Sequence, residues 1–275
     1  MDAMTKQDTN LNNLHSMDWG KRWDVAGNVG TPAEILVALA DDKDNAIRER
    51  AARNPNTPAD ALVVLANDET WHVRQAVAGN WNAPGELLAR LAVLKNSGVG
   101  WSVAGNRSTP AETLNMLAAD ETPSVRLRVA RNPNTPAETL AKLATDEILD
   151  VRYGVADNPN APADVLEKLA TDWNIDVHRA VARNKNSPAW VLKRLLDDED
   201  QDVHRLVAGN PNATETVLLR ASRDRSPSVR EAVARNPKIP QDVAIHLSTS
   251  KVSRIRQALS ENPAVPEHIR VGLSL

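Results

Sequence analysis

Asparagine recurs at positions 28, 54, 80, 106, 132, 158, 184, 210, 236 and 262, ten times at a constant interval of 26. A carboxamide donates and accepts hydrogen bonds at once, tolerates left-handed backbone and bonds readily to the main chain. The column is therefore expected to hold structure together rather than to carry a ligand. An aspartate stands fourteen residues after the asparagine (Asp42, Asp68, Asp120, Asp146, Asp172, Asp198, Asp224), and six residues further on comes arginine or histidine (Arg48, Arg74, Arg126, Arg152, His178, His204, Arg230). Carboxylate and guanidinium can form bidentate ion pairs. Carboxylate pairs suit acid–base catalysis, but pairs that repeat in every unit do not make a unique active site, and no catalytic residue is assigned. His178 and His204 are expected to replace the ladder arginine and pair with Asp172 or Asp198. Their side chains lie one unit apart and converge poorly on a metal, which needs three or four ligands, so no metal or cofactor is expected. Glycine-rich phosphate loops, a serine elbow and zinc signatures are absent from the sequence, and cysteine is absent altogether.

The residue types left over point to binding. Seven tryptophans and one tyrosine accompany no phenylalanine, while the core positions are already filled by Leu, Val, Ile and Ala. Trp23, Trp101 and Tyr153 follow the ladder arginine position, Trp19 and Trp71 share a second non-core column, and Trp81 lies beside an asparagine. Exposed aromatics would anchor a protein partner; Trp173 and Trp190 are read as packing. The residue before the repeat asparagine is arginine at 53, 131, 183 and 235 and glycine at 27, 79, 105 and 209. Arg53, Arg131, Arg183 and Arg235 either complement a helix end or form a row able to grip carboxylates or phosphates. Residues 219–256 hold nine basic against three acidic groups, a local balance of 9 − 3 = +6. Within them Arg220, Arg223, Arg225, Arg230, Arg254 and Arg256 form a candidate phosphate patch. The neighbouring acids Asp197, Asp198, Glu199 and Asp200 offer it an ordinary ion-pair face instead.

These residues must be positioned by a repeated unit. A period of 26 means one supersecondary element per repeat, which buries its apolar face only by stacking on its neighbours. In the unit from Asn132, Thr135 is expected to cap a first helix of about ten residues with Glu138 closing a capping box. Leu140 and Leu143 begin its buried stripe. Asp150 is expected to cap a second, shorter helix, α or 3-10, with Val151 and Val155 inward; equivalent caps would be Ser124, Asp176, Asp202 and Ser228. Proline follows the asparagine in six of ten repeats and ends that helix. The unit from Asn80 departs most, with Leu94 and Gly100 in the ladder positions and Lys95-Asn96-Ser97-Gly98 read as a flexible linker. Local failure of a repeat rule marks functional or strained sites, or simple drift.

The Asp and Arg ladder resembles that of HEAT repeats, and the phrase Val-Arg-x-x-Val-Ala-x-Asn-Pro-x-Thr-Pro, seen closely in Val125 to Leu143 and Val229 to Leu247, resembles the leucine-rich-repeat-variant family more closely still. The resemblance covers roughly residues 19–275. It implies an all-α, right-handed superhelical solenoid of paired helices. Some members carry a cysteine-ligated iron–sulfur domain, a feature that a chain without cysteine does not inherit. Residues 1–16 are expected to be a disordered tail and 17–275 a single array with half-repeats at both ends. A net charge of −3 gives no overall attraction to nucleic acid or an anionic membrane. The absence of an apolar leader and of cysteine suits a cytoplasmic protein. The expected function is a non-catalytic protein-binding scaffold or adaptor using a continuous face. The alternatives are nucleic-acid binding at the basic patch, or inhibition of one specific protein in the manner of an immunity protein.

Overall fold

The structure is a computed structural model that describes residues 11–14, 16–94 and 96–273. Every regular element among them is α-helical. The chain divides into two compact units, residues 1–139 and 140–275. In each unit short first helices, such as Ala59–Leu65 and Ala163–Leu169, alternate with second helices such as Asn45–Arg53 and Ile175–Arg183.

The lengths reverse the sequence expectation, because these first helices have seven residues and these second helices nine, all α rather than 3-10. The reason lies in the Thr-Pro step. Pro58 and Pro110 are themselves extended N-cap residues, so the first helix starts one residue later. The threonine hydroxyls donate backward, Thr57 Oγ1 to the Ala51 carbonyl (2.5 Å) and Thr109 Oγ1 to the Val103 carbonyl (2.6 Å). Thr135 likewise donates to the Val129 carbonyl at 2.6 Å, so its hydroxyl closes the end of the preceding helix. The second helices also start earlier than expected. Their N-caps are Thr122, Ile148, Asn174, Asp200 and Ser226, two residues before Ser124, Asp150, Asp176, Asp202 and Ser228.

Second helices pack on one another more extensively than first helices do within each unit. Alanine two residues before the repeat asparagine permits that approach: Ala26, Ala52, Ala78, Ala104, Ala182, Ala208 and Ala234 are wholly buried. Leucines of the first helices (Leu62, Leu88, Leu166, Leu192) and valines of the second (Val73, Val99, Val177, Val203) complete the core. At the amino end Leu11–Leu14 is a short helix, and Leu14 packs with Val25, Ile35, Leu39 and Ile47. Residues 1–10 and 15 of the expected tail lie outside the described residues.

The asparagine column is a hydrogen-bonded ladder. Asn80 Nδ2 donates to the Ala52 carbonyl (2.7 Å) and the Asn54 carbonyl (2.9 Å) of the preceding layer, and its Oδ1 accepts from the Asn82 amide (2.9 Å). Asn106 and, in the second unit, Asn184, Asn210, Asn236 and Asn262 repeat the same three bonds. The backbone at these residues is extended, as at Asn80 (φ −78°, ψ 131°), and no described residue has a positive φ. The side-chain amide, not a left-handed turn, is what the column requires.

Candidate functional site

The acid and base ladder runs between layers. Arg48 Nε donates to Asp68 Oδ2 (2.5 Å), twenty residues on, while its Nη1 donates to the Asp42 carbonyl of its own layer (2.8 Å). Arg22 with Asp42 (2.8 Å) and Arg152 with Asp172 (2.6 Å) do the same. His178 and His204 bind Asp198 and Asp224 through Nδ1 at 2.7 Å. The expected pairing of these histidines with Asp172 or Asp198 is thus one layer off. A period of 26 offers each base an acid six residues before and another twenty after, and only packing decides between them. At His204 the own-layer Asp198 supplies its carbonyl to Nε2 (2.7 Å), not its carboxylate. Burial alone would raise the Asp68 carboxyl, but the Arg48 guanidinium and the Thr70 amide outweigh it and hold Asp68 below the ordinary carboxylate range.

The layer at Asn80 breaks this ladder on both sides. Arg74 faces Leu94 where an aspartate should stand, and its buried Nε has no hydrogen-bond partner. Asp120 faces Gly100, at which a Cβ would sit 3.9 Å from Asp120 Oδ2. The flexible linker expected here is instead the start of the helix Ser97–Gly105, capped by Asn96 Oδ1 on the Val99 amide (3.0 Å); Lys95 lies outside the described residues. Trp71 covers this start, with its ring 3.0 Å from where a Gly98 Cβ would be, and stacks on His72 at 3.6 Å.

Trp23, Trp71, Trp101 and Tyr153 fall on second helices, and Trp81 in the turn that follows one. Positions nine, five and one before the asparagine are spaced four apart and form one helical stripe. Trp19 and Trp23 stack along it at 5.2 Å. Arg50 lies over Trp23 (4.4 Å) and Arg128 over Trp101 (3.7 Å), each arginine coming from the next layer. Burial first and the Arg131 charge second draw the Arg128 guanidinium below its ordinary value, though arginine stays cationic at neutral pH. Trp71 (40%) and Trp101 (38%) keep substantial exposure, and Trp81, in the turn after Asn80, is 80% exposed. Tyr153 instead accepts from Arg183 Nη2 at 2.9 Å. Trp173 and Trp190, read from sequence as packing, are 78% and 57% exposed, and Arg152 lies 4.8 Å from the Trp173 ring. Linker and helix-start positions lie outside the buried stripe, so a tryptophan there stays in solvent.

Three of the four arginines in the row are tied down by carboxylates. Arg53 pairs with Glu49 (2.7 Å), Arg183 with Asp157 (2.8 Å), and Arg235 with Glu231 (3.2 Å) and Glu261 (3.5 Å). Arg131 lies beside Arg128. The candidate phosphate patch is fragmented. Arg220 binds Asp197 (2.5 Å), Arg254 binds Glu231 (3.3 Å), and Arg230 and Arg256 are turned to the Asp224 and Ser250 carbonyls (2.5 and 2.6 Å). Arg223 and Arg225 remain at a surface depression shared with Glu199 and Asp224. No group of three or more His, Asp or Glu side chains able to hold a metal occurs among the described residues, and no described helix is long and apolar enough to cross a membrane.

Residues 123–148 match the family model described as leucine rich repeat variant. Among solved structures, one described as a leucine-rich repeat variant with a novel repetitive protein structural motif aligns over 81% of this chain and 88% of its own, with 24% identity and a TM-score of 0.57. An engineered protein aligns over 92% of this chain and 94% of its own at 18% identity and a TM-score of 0.42. Importin beta aligns over 83% of this chain and 39% of its own at 10% identity and a TM-score of 0.37. No curated protein matches the sequence. With one unit matched by that family model and the fold aligned over most of both chains, the chain is a helical repeat protein whose fold is similar to that of the leucine-rich repeat variant.

Proposed function

We propose that the chain is a non-catalytic scaffold that binds a protein partner along the second-helix face of its repeats. The observation that carries this is that Trp71, Trp81 and Trp101 all lie in or beside the layer at Asn80, where the ladder is broken on both sides. The core needs none of these rings, yet each keeps more than a third of its surface exposed. Large aromatic surface at helix faces supplies binding energy when a partner covers it. Repeat surfaces sum many weak contacts, and a few aromatic anchors then set where the partner sits. A cytoplasmic location suits the cysteine-free composition. The nucleic-acid alternative is weakened by the carboxylates that engage Arg220 and Arg254. Affinity capture on immobilised full-length chain, with and without nuclease, tests the reading. A stoichiometric protein that survives nuclease and falls at least tenfold with Trp101→Ala, at unchanged helicity, is expected. Capture indifferent to both Trp101→Ala and Trp71→Ala would place the anchors elsewhere, and capture abolished by nuclease would favour nucleic acid.

A further inference from the structure

Four glycines precede the repeat asparagine, and they fall into two kinds. At Gly27 a Cβ would lie 2.2 Å from Arg50 Nε, because Arg50 crosses that glycine to reach Trp23 and donates to the Trp23 carbonyl at 2.9 Å. At Gly105 the Arg128 guanidinium lies 3.5 Å away on its way over Trp101. In these layers glycine is a seat, and the arginine of the next layer occupies it. Gly79 and Gly209 have nothing within 4 Å, because the position that supplies Arg50 and Arg128 is there Ser102 or Ala232.

The Gly209 seat opens into a pocket of about 380 Å³ whose lining includes Arg183, Lys185, Arg205 and Arg235 over a floor that includes Leu206 and Pro211, with no carboxylate in the lining. That volume lies within the range of about 300–1,000 Å³ usual for ligand sites. Along the column the charges read Asp157, Arg183, Gly209, Arg235, Glu261. Arg183 is drawn outward to Asp157 and Arg235 to Glu261, so the seat between them stays open. Arg205, whose Nε donates to Asp202 Oδ1 at 3.1 Å, occupies the position that Trp23 and Trp101 hold in the filled seats, which turns an aromatic platform into a cationic one.

We propose that the Gly209 pocket receives an acidic peptide segment of the protein partner, with one carboxylate between Arg183, Arg205 and Arg235 and an adjacent apolar side chain on Leu206 and Pro211. The inference deepens the scaffold reading and rests on it. The cations match a carboxylate in bidentate fashion, and the apolar floor matches the neighbouring side chain. A polyphosphate backbone is disfavoured because it brings no apolar group to Leu206 and Pro211. The Gly79 seat lacks this cationic collar, since the positions of Lys185, Arg205 and Arg235 are there Pro55, Gln75 and Gly105, which leaves Arg53 alone.

Anisotropy titrations of the full chain would use a capped, fluorescein-labelled octapeptide of alternating glutamate and leucine. The lysine–leucine counterpart and a twenty-residue oligothymidylate serve as controls. Gly209→Leu fills the seat without removing a charge and places a better helix former in the last turn, so folding is retained. Saturable binding of the glutamate peptide is expected, weakened at least tenfold by Gly209→Leu and by Arg235→Glu but unchanged by Gly79→Leu. Absence of binding, indifference to Gly209→Leu, or tighter oligothymidylate binding lost in the same variants would overturn the proposal. A partner lost from capture with Trp101→Ala, combined with a peptide titration insensitive to Gly209→Leu, sinks this site alone and leaves the scaffold reading standing.

Discussion

Arg48 and Arg152 each join two loops: Nη1 holds the carbonyl of the arginine's own layer's aspartate, and Nε reaches the carboxylate of the next. Residue by residue, the broken layer shows what such a tie is worth, since Arg74 keeps the first bond, to the Asp68 carbonyl, and loses the second. A buried donor without a partner costs about 1–3 kcal/mol, and a charged hydrogen bond returns a comparable amount. Leu94→Asp is therefore expected to raise stability by about 1 kcal/mol in urea titrations, with Leu94→Asn giving less because the charge is missing. A loss of stability on Leu94→Asp would mean that the leucine packs better than the ladder bonds. The identity of Arg74 and of Leu94 was legible from register alone. Which aspartate each base would choose was not, because a strict period places candidates on both sides at fixed distances.

At the scale of elements, the loop between first and second helix is where charge decides stability. Asp68, Asp197 and Asp200 all titrate below the ordinary carboxylate range, Asp68 held by Arg48 against burial, Asp197 by Arg220 and Asp200 by Arg179. A carboxyl depressed in the folded state stabilises it above the unfolded pKa of about 4 and loses that contribution as pH falls through the lower folded value. Stability should accordingly drop on acidification below about pH 4. The side chain of Asp68 is 6% exposed and that of Asp197 is 68% exposed, so solvent screens the second pair far more. Asp68→Asn should flatten the acid limb of a stability profile more than Asp197→Asn does, and only the latter's effect should vanish in 1 M salt. Equal effects would contradict the role given to burial. Helix boundaries were the least legible elements. The Thr-Pro phrase announces a helix start correctly, yet Thr135 spends its hydroxyl on the Val129 carbonyl, a partner behind it that no local capping rule names.

For the molecule as a whole, layers couple chiefly to their nearest neighbours, so damage should stay local. Asn210→Asp removes the donor to the Ala182 and Asn184 carbonyls and buries a carboxylate beside them. A loss of several kcal/mol is expected for the layers it touches, from two stranded acceptors and a desolvated charge. Hydrogen exchange followed by mass spectrometry should show faster exchange across residues 180–240 and unchanged protection across 45–80. Uniform acceleration throughout the chain would show instead that the two units unfold as one cooperative body. The repeat, its all-α character and the asparagine column were readable because a period repeated without insertion averages out local ambiguity. The Gly209 pocket was not, since an empty seat becomes visible only where a filled one can be compared with it.

Because an interior repeat asparagine gives to the layer before it the same bonds that it receives from the layer after, no interior layer has asparagine bonds private to it. A duplication or deletion of 26 residues therefore leaves every such bond closed, whereas a change of 25 or 27 opens two carbonyls at the junction. Unequal recombination within such a gene is filtered by hydrogen bonding alone, and the length of the array can drift through evolution in whole layers while its junctions remain intact.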